Sequence, residues 1–376
     1  MLKISKGSNA YKLLETIAVC GDYPVSKLGL LGNAQAFRNV LNKMSVVQDY
    51  ENTETTEKVF GIKVLTVIGK QKHRTVRLLP SVTRIVKWVS DNADISPFLK
   101  QCGSKRYIGR RHRVAVGAVM FRNAGIEYRP YMLPNLQNDK IKQVIPETPC
   151  FYMSDALKSV GDKDVNILRY SRITGMFYNG EEGYAVYNAL DESMLWFRFE
   201  ELKARENMSS LSRFNGISEP VSKAILFGNS YEVALKMLNG YEKRGKKRFE
   251  IDGVYKKVYF IPVNEFGYRV LKYFAVPGAE EMIIAGLFPD DCHTDIYSRY
   301  DHICGPERTI SFLTGDVARL KWFKEQMSYT VNADKKFRII CFREQVDFVK
   351  SYLNGKAEIK TAKTEDVENL LGISGD

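Results

Sequence analysis

The chain has 376 residues, 44% of them hydrophobic and 12% aromatic. That is enough apolar material for about two domains with separate cores, and it excludes a disordered chain. No apolar run approaches the ~20 residues needed to span a bilayer, so no membrane partner is expected. Met1-Leu-Lys-Ile-Ser-Lys-Gly7 is followed by neither an apolar core nor a cleavage site. The expectation is a cytoplasmic protein without a signal peptide, its six cysteines reduced thiols. The formal charge of +12 is unevenly placed: residues 1–130 hold 22 Lys+Arg against 9 Asp+Glu (+13), and the remainder hold 34 against 35 (−1). A solubilising charge would spread over the whole surface, whereas a polyanion site concentrates it.

Asn9 to Val19 reads as a helix with Leu13, Leu14, Ile17 and Ala18 on one face. Gly21-Asp-Tyr-Pro24 is expected to break it, and Ser26 to Leu31 forms a short second helix ended by Gly32. Asn33 is a strong N-cap for a third helix reaching Met44. In that helix Phe37, Val40, Leu41 and Met44 make the inward stripe. Gln35, Arg38, Asn39, Asn42 and Lys43 are left outside, and these side-chain types bond base edges and phosphates in a major groove. Phe60 to Leu79 reads as a basic hairpin turning at Gly69–Arg74, with Lys70, Lys72, His73 and Arg74 at its tip and Arg77 nearby. Helix, short helix, capped helix, hairpin is the order of a winged helix-turn-helix. The bland alternative is a small α/β domain that touches protein or nothing. Ser81 to Ser90 is expected to close this domain as a helix.

A turn-rich break, Asp91–Pro97, precedes a helix that begins basic and ends apolar. Lys105, Arg106, Arg110, Arg111 and Arg113 surround His112 in its first half, while Val114, Ala118, Val119 and Phe121 are expected to be buried. The basic half either tracks a phosphate backbone or is a solvated helix face. Tyr128 to Pro149 holds four of the twelve prolines and reads as a linker. The expected division is therefore 1–90 for the DNA-binding domain, 91–149 for basic helix and linker, and 150–376 for an α/β domain.

In that last segment Phe151 to Val160 reads as a helix. Ile173–Tyr178 and Tyr184–Leu190 read as strands joined by the turn Asn179-Gly-Glu-Glu-Gly183. Trp196 to Met208 follows as a helix. Beyond it, strands at Ala224–Gly228, Val258–Val263, Thr309–Thr314 and Phe337–Phe342 alternate with helices, which is the signature of an α/β sheet domain. The fold class is thus a two-domain α+β, α/β chain.

This layout resembles the replication-relaxation family, winged-helix proteins of plasmids and integrative elements in Gram-positive bacteria. The likeness rests on the block Asn9–Leu79, on the basic-then-apolar helix Arg110-Arg-His-Arg-Val-Ala-Val-Gly-Ala-Val-Met-Phe-Arg-Asn-Ala-Gly-Ile126, and on an α/β half resembling a restriction-endonuclease-like fold. The resemblance implies a bacterial duplex-DNA-binding protein in replication, transfer or their regulation, with dimerisation or replication and transfer partner proteins served by the α/β half.

The alternative is a metal-dependent nuclease or nickase. An endonuclease core needs an Asp on one strand and Glu-x-Lys on the next to hold Mg²⁺ and orient water. Tyr184–Leu190 carries neither Glu nor Lys. Glu201-Leu-Lys203 has the spacing, with Asp155 or Asp191 as the further carboxylate, but it falls in a predicted helix where residues two apart diverge. Cys292-His293 and His302-x-Cys304 offer zinc-type ligands, although adjacent ligands point apart. The basic run Lys243-Arg-Gly-Lys-Lys-Arg248 is a phosphate contact or a solvated turn. No nucleotide-cofactor or hydrolase motif is present, so neither a catalytic residue nor a cofactor or metal is expected.

Overall fold

The computed structural model describes residues 1–89, 107–128, 149–154, 171–191, 198–214, 217–240, 253–289 and 299–373. Its contacts separate into two compact units, Met1–Met120 and Phe121–Asp376. The division falls inside the helix Ile108–Asn123, and most of the Pro-rich stretch read as a linker lies outside the described residues. No helix among the described residues is long and apolar enough to cross a membrane.

The first unit opens with β1 (Leu2–Ile4) and α1 (Asn9–Cys20). The Ser8 hydroxyl caps α1 by accepting the Tyr11 N–H at 3.2 Å. Leu13, Leu14, Ile17 and Ala18 are buried, as their spacing predicts. Then come β2 (Asp22–Pro24), a 3-10 segment Val25–Leu31, α2 (Ala34–Met44), β3 (Gln48–Asn52), β4 (Lys58–Ile62), β5 (Leu65–Ile68) and β6 (Thr75–Leu78). They form two three-stranded sheets. One is β2–β6–β5 with both pairings antiparallel, and the other is β1–β3–β4 with β1 and β3 parallel.

Two expectations are corrected here. Phe60 to Ile62 belongs to β4 and pairs back to β3, so the basic hairpin begins only at Leu65. Asp22–Pro24 is a strand, not a chain break, because β6 offers it a ladder and Asp22 finds buried partners. The closing helix is short, with α3 (Thr83–Val86) flanked by 3-10 turns, and it buries Val82, Ile85, Val86 and Val89.

Asp22 is fully buried and is gripped from two elements. Arg77 of β6 donates from Nε to Oδ1 at 2.7 Å and from Nη2 to Oδ2 at 3.0 Å. Arg111, on α4 (Ile108–Asn123), donates from Nε to Oδ2 at 2.5 Å. Burial alone would raise the Asp22 pKa, but the two guanidiniums outweigh it and hold the carboxyl below its ordinary range. One residue on, buried His112 bonds the Thr75 hydroxyl of β6 through Nε2 at 2.7 Å. Its ring is pushed down to about 4, chiefly by burial, with Asp22 opposing the shift and Arg111 and His73 adding to it.

The second unit contains a six-stranded sheet of β7 (Glu127–Tyr128), β8 (Cys150–Met153), β9 (Gly175–Tyr178), β10 (Gly183–Leu190), β11 (Lys223–Gly228) and β12 (Lys257–Pro262), adjacent in that order. β8, β9 and β10 form an antiparallel meander, whereas β10, β11 and β12 run parallel. The parallel crossovers are α5 (Arg198–Phe214) and α6 (Tyr231–Leu238). α7 (Glu265–Tyr273) and α8 (Ala279–Leu287) follow. A four-stranded sheet takes β13 (His302–Cys304), β14 (Glu307–Ser311), β15 (Lys336–Phe342) and β16 (Glu358–Ala362), with α9 (Val317–Gln326) and α10 (Val346–Tyr352) between its parallel strands and α11 (Thr364–Leu370) after them. Both sheets share one apolar cluster.

Cys150–Met153 is a strand where a helix is expected. All four side chains are buried between two strand neighbours, and a short apolar run carries no period to reveal this. Phe121 stacks on Phe151 at 4.3 Å and meets Phe177 and Phe227 edgewise or tilted. Gly175 is required opposite Phe151, because a Cβ there would lie 2.3 Å from the ring.

The His112 environment gives an acid dependence with a definite sign. A folded-state pKa below the ordinary 6.5 means that the unfolded chain binds the proton first, so stability is complete above about 6.5 and falls as the pH drops toward 4. The loss is about 3 kcal/mol over that window. The Asp22 contribution stays intact across it, being lost only below the ordinary carboxylate value. Urea melts of wild type and His112→Gln at several pH values check this, and equal pH slopes for the two proteins would contradict it.

Candidate nucleic-acid interface

Why α2 shows a polar face follows from its cap and spacing. The Asn33 carboxamide oxygen accepts the N–H groups of Gln35 at 3.1 Å and Ala36 at 3.0 Å, fixing where the helix begins. Phe37, Leu41 and Met44 are then buried and Val40 half-buried, and Gln35, Arg38, Asn39, Asn42 and Lys43 are all exposed. Gln35 Nε2 donates to Asn39 Oδ1 at 3.1 Å, one turn on. At the far end the Val64 N–H bonds the Met44 carbonyl at 3.2 Å, tying α2 to the residue just before β5 of the basic hairpin.

That hairpin, β5–β6, turns through a 3-10 segment Gln71–His73. Gly69 enters it at φ +82, and a Cβ there would lie 2.4 Å from the His73 carbonyl oxygen, so the tight turn needs glycine. Lys70, His73 and Arg74 are exposed at the tip, and the Lys72 side chain lies outside the described atoms. Arg77, counted with the tip in sequence, instead faces Asp22.

The basic half of α4 divides. Lys105 and Arg106 lie outside the described residues. Arg110, Arg111 and Arg113 are half-buried, and Arg111 is engaged with Asp22 as described above. Its guanidinium therefore serves the interior of the first unit. Counted at the observed division, residues 1–120 hold 20 Lys+Arg against 8 Asp+Glu (+12), and residues 121–376 hold 36 against 36 (0).

In the second unit, Glu201 of α5 is fully buried. Its Oε2 accepts the Ser171 and Tyr187 hydroxyls, both at 2.8 Å, and its Oε1 accepts the Arg172 N–H at 2.8 Å. Burial raises its pKa against these three bonds. Lys203, two residues along the helix, is exposed. Asp191 is exposed beside the Asn229 amide, and Asp155 lies outside the described residues. Glu201 thus holds the segment at Ser171–Arg172 and the strand residue Tyr187 against α5, a role that its Glu-x-Lys spacing alone does not reveal.

A half-buried ionic group was not read from sequence. Lys223 and Lys257, register partners at the start of β11 and β12, meet Glu182 and Glu280, each at 2.5 Å. The Tyr259 hydroxyl donates to Glu280 at 3.0 Å. Burial opposes ionisation of Glu280, but Lys257 overcomes it and keeps the carboxyl low. Nearby Asp316 caps α9 and is pushed up to about 6, first by burial and then by Glu280. Of these charges Glu182, Lys223 and Glu280 line a cavity of only about 20 Å³, room for one water. Cys292 and His293 lie outside the described residues. His302 stacks on Phe288 at 4.8 Å, and Asp301 is bound to Arg319 at 2.5 Å. Among the described residues no three His, Cys, Asp or Glu side chains are grouped to hold a metal.

A saturated Glu201 predicts a stability phenotype. Glu201→Ala strands two buried hydroxyl donors at about 1–3 kcal/mol each and removes the partner of the Arg172 N–H, so thermal and urea unfolding show a loss of about 2 kcal/mol or more. Lys203→Ala stays within about 0.5 kcal/mol of wild type. Comparable stability of the two variants would remove this structural role.

Comparison with known proteins finds no matching family model, no matching curated protein and no matching solved structure.

Proposed function

We propose that the first unit is a winged helix that binds duplex DNA, with α2 as its recognition helix and the β5–β6 hairpin as its wing. The observation that carries this reading is the exposure of all five polar α2 side chains over a buried Phe37–Leu41–Met44 stripe. Supporting it is the order of α1, β2, the 3-10 segment and α2 ahead of the β5–β6 hairpin, with β3 and β4 intervening and β2 paired to β6. The charge partition agrees, since the whole excess of +12 falls in residues 1–120. On this reading Gln35, Arg38, Asn39, Asn42 and Lys43 reach base edges or phosphates in the major groove. Lys70, Lys72, His73 and Arg74 reach the adjacent backbone or minor groove. Arg110 and Arg113 line the same electropositive unit, and Arg111 supports it from within.

In the second unit the meander β8–β9–β10, then α5, then parallel β11 is the element order that supports an endonuclease-like core. β10, Gly-Tyr-Ala-Val-Tyr-Asn-Ala-Leu, has no carboxylate or lysine. We therefore read the core as non-catalytic and as a docking or dimerisation module. The chain as a whole is a bacterial DNA-binding protein of the replication-relaxation kind, acting in the replication or transfer of a plasmid or mobile element.

Mobility-shift titrations of short duplexes at about 50 and 200 mM salt test the reading, and six or more phosphate contacts would weaken binding by about 10³-fold across that range. Arg38→Ala/Lys43→Ala is expected to lose at least about tenfold in affinity with unchanged unfolding, since both side chains are exposed. Arg111→Ala should instead lower stability, because it removes one of two guanidiniums from buried Asp22. Absence of a shift at the lower salt would exclude duplex DNA as the partner.

A further inference from the structure

The second unit has no net charge, yet it carries one strongly basic cleft. α5 contributes Arg205, the turn before β12 contributes Gly253–Lys256, and α9 contributes Lys321, Trp322 and Glu325, with Arg299 closing one side. The opening is about 450 Å³, within the range of small-ligand sites. Four cations face it against one carboxylate, a local excess that the balanced composition of the unit does not account for.

Lys321 is paired with Glu325 one turn on at 4.0 Å, which leaves Arg205, Lys256 and Arg299 as the excess. Arg205 donates to the Val254 carbonyl at 2.6 Å, which orients its guanidinium along the wall. The Arg299 carbonyl accepts Nε and Nη2 of Arg319 at 2.9 and 2.6 Å, and Arg319 is itself fastened to buried Asp301. The backbone that presents Arg299 is therefore tied to α9. The Arg299 guanidinium lies over the Trp322 ring, 5.7 Å from its centroid, and Trp322 packs on Tyr300 at 4.9 Å. The cleft thus sets a half-buried indole, with Arg299 over its ring, among cations. Guanidinium and ammonium groups recognise phosphate, and an indole ring stacks on a planar base. A ligand carrying both, repeated along a flexible chain, is a single-stranded polynucleotide.

We infer that this cleft binds single-stranded nucleic acid, with a base stacked at Trp322 and phosphates held by Lys256 and Arg299. The cleft belongs to the second unit and α2 to the first, and the inference does not rest on the duplex-binding reading. A single strand exposes its bases for stacking, whereas a duplex keeps them paired.

The test uses the full chain carrying Arg38→Ala/Lys43→Ala, so that α2 contributes little. A twelve-residue oligothymidylate is titrated while tryptophan fluorescence is followed, with thymidine monophosphate and inorganic polyphosphate in parallel arms. Trp322→Phe assigns the signal among the three tryptophans. The expected result is quenching by the oligonucleotide that Trp322→Phe abolishes. Added Lys256→Ala/Arg299→Ala, both at exposed positions, should weaken binding at least about tenfold. It should also flatten the salt dependence by about 1.4 in log–log slope, at ~0.7 per single-strand phosphate contact. Quenching by the monophosphate at equal affinity would replace the strand with a free nucleotide and overturn the inference. Polyphosphate binding as tightly, without Trp322 quenching, would reduce the cleft to an unspecific anion patch. Oligonucleotide binding unchanged by Lys256→Ala/Arg299→Ala would also overturn it. Because the duplex assay reads α2 and this one reads Trp322, failure of either leaves the other standing.

Discussion

The buried carboxylate of Asp22 is the constraint on which the first unit depends. A lone carboxylate in that position would cost several kcal/mol, and it is tolerated because Arg77 and Arg111 arrive from β6 and α4. Those partners lie 55 and 89 residues away in sequence. Asp22 therefore joins β2, β6 and α4 through one group, and the Thr75–His112 bond repeats the β6–α4 link beside it. The ladder between β2 and β6 is short, and the ion cluster gives it a fixed register, with Asp22 opposite Arg77 in both backbone pairing and side-chain contact. The basic hairpin inherits that rigidity, since β6 is one of its two strands.

From this follows a division of labour among basic residues that share a sequence neighbourhood. Arg77 and Arg111 neutralise an interior charge, while Arg38, Lys43, Lys70 and Arg74 remain at the surface. The two groups differ in what mutation does to them. A cation bound to a buried acid contributes to folding, and its loss leaves an uncompensated charge. A cation exposed on a helix or turn costs little to remove, so its loss acts on whatever it binds.

How much of this was legible in sequence depended on whether the determining contacts were local. α2 was readable because Asn33, Phe37, Leu41 and Met44 lie within two to three turns and encode start, face and burial together. The β9–β10 hairpin was readable for the same reason, its turn being fixed by Asn179, whose side chain accepts the N–H groups of Glu181 and Glu182. β2 was not readable, since Asp22-Tyr-Pro24 has the composition of a turn and becomes a strand through partners far along the chain. β8 failed differently, because Cys-Phe-Tyr-Met is equally apolar in a helix or a strand buried on both faces. Glu201 shows a spacing that suggests chemistry on a side chain that accepts three hydrogen bonds, two of them from buried hydroxyls.

Net charge by itself would assign all polyanion recognition to the first unit. The second unit shows why a zero sum is a weak guide to local potential. Many of its charges are matched in place: Lys223 with Glu182, Lys257 with Glu280, Arg319 with Asp301, Arg269 with Glu368, Arg338 with Glu358. Paired charges cancel within a few ångströms and leave little field beyond. Balance achieved that way in one region permits an excess of cations in another without changing the total. The cleft at Trp322 is such an excess, with Arg205, Lys256 and Arg299 beside the paired Lys321 and Glu325. The pairing at Arg319 also bears on it directly: by fixing the Arg299 carbonyl, a buried ion pair positions a surface cation over an aromatic ring. In both units, then, interior arginine–carboxylate contacts do not recognise a ligand themselves but determine where exposed cations stand.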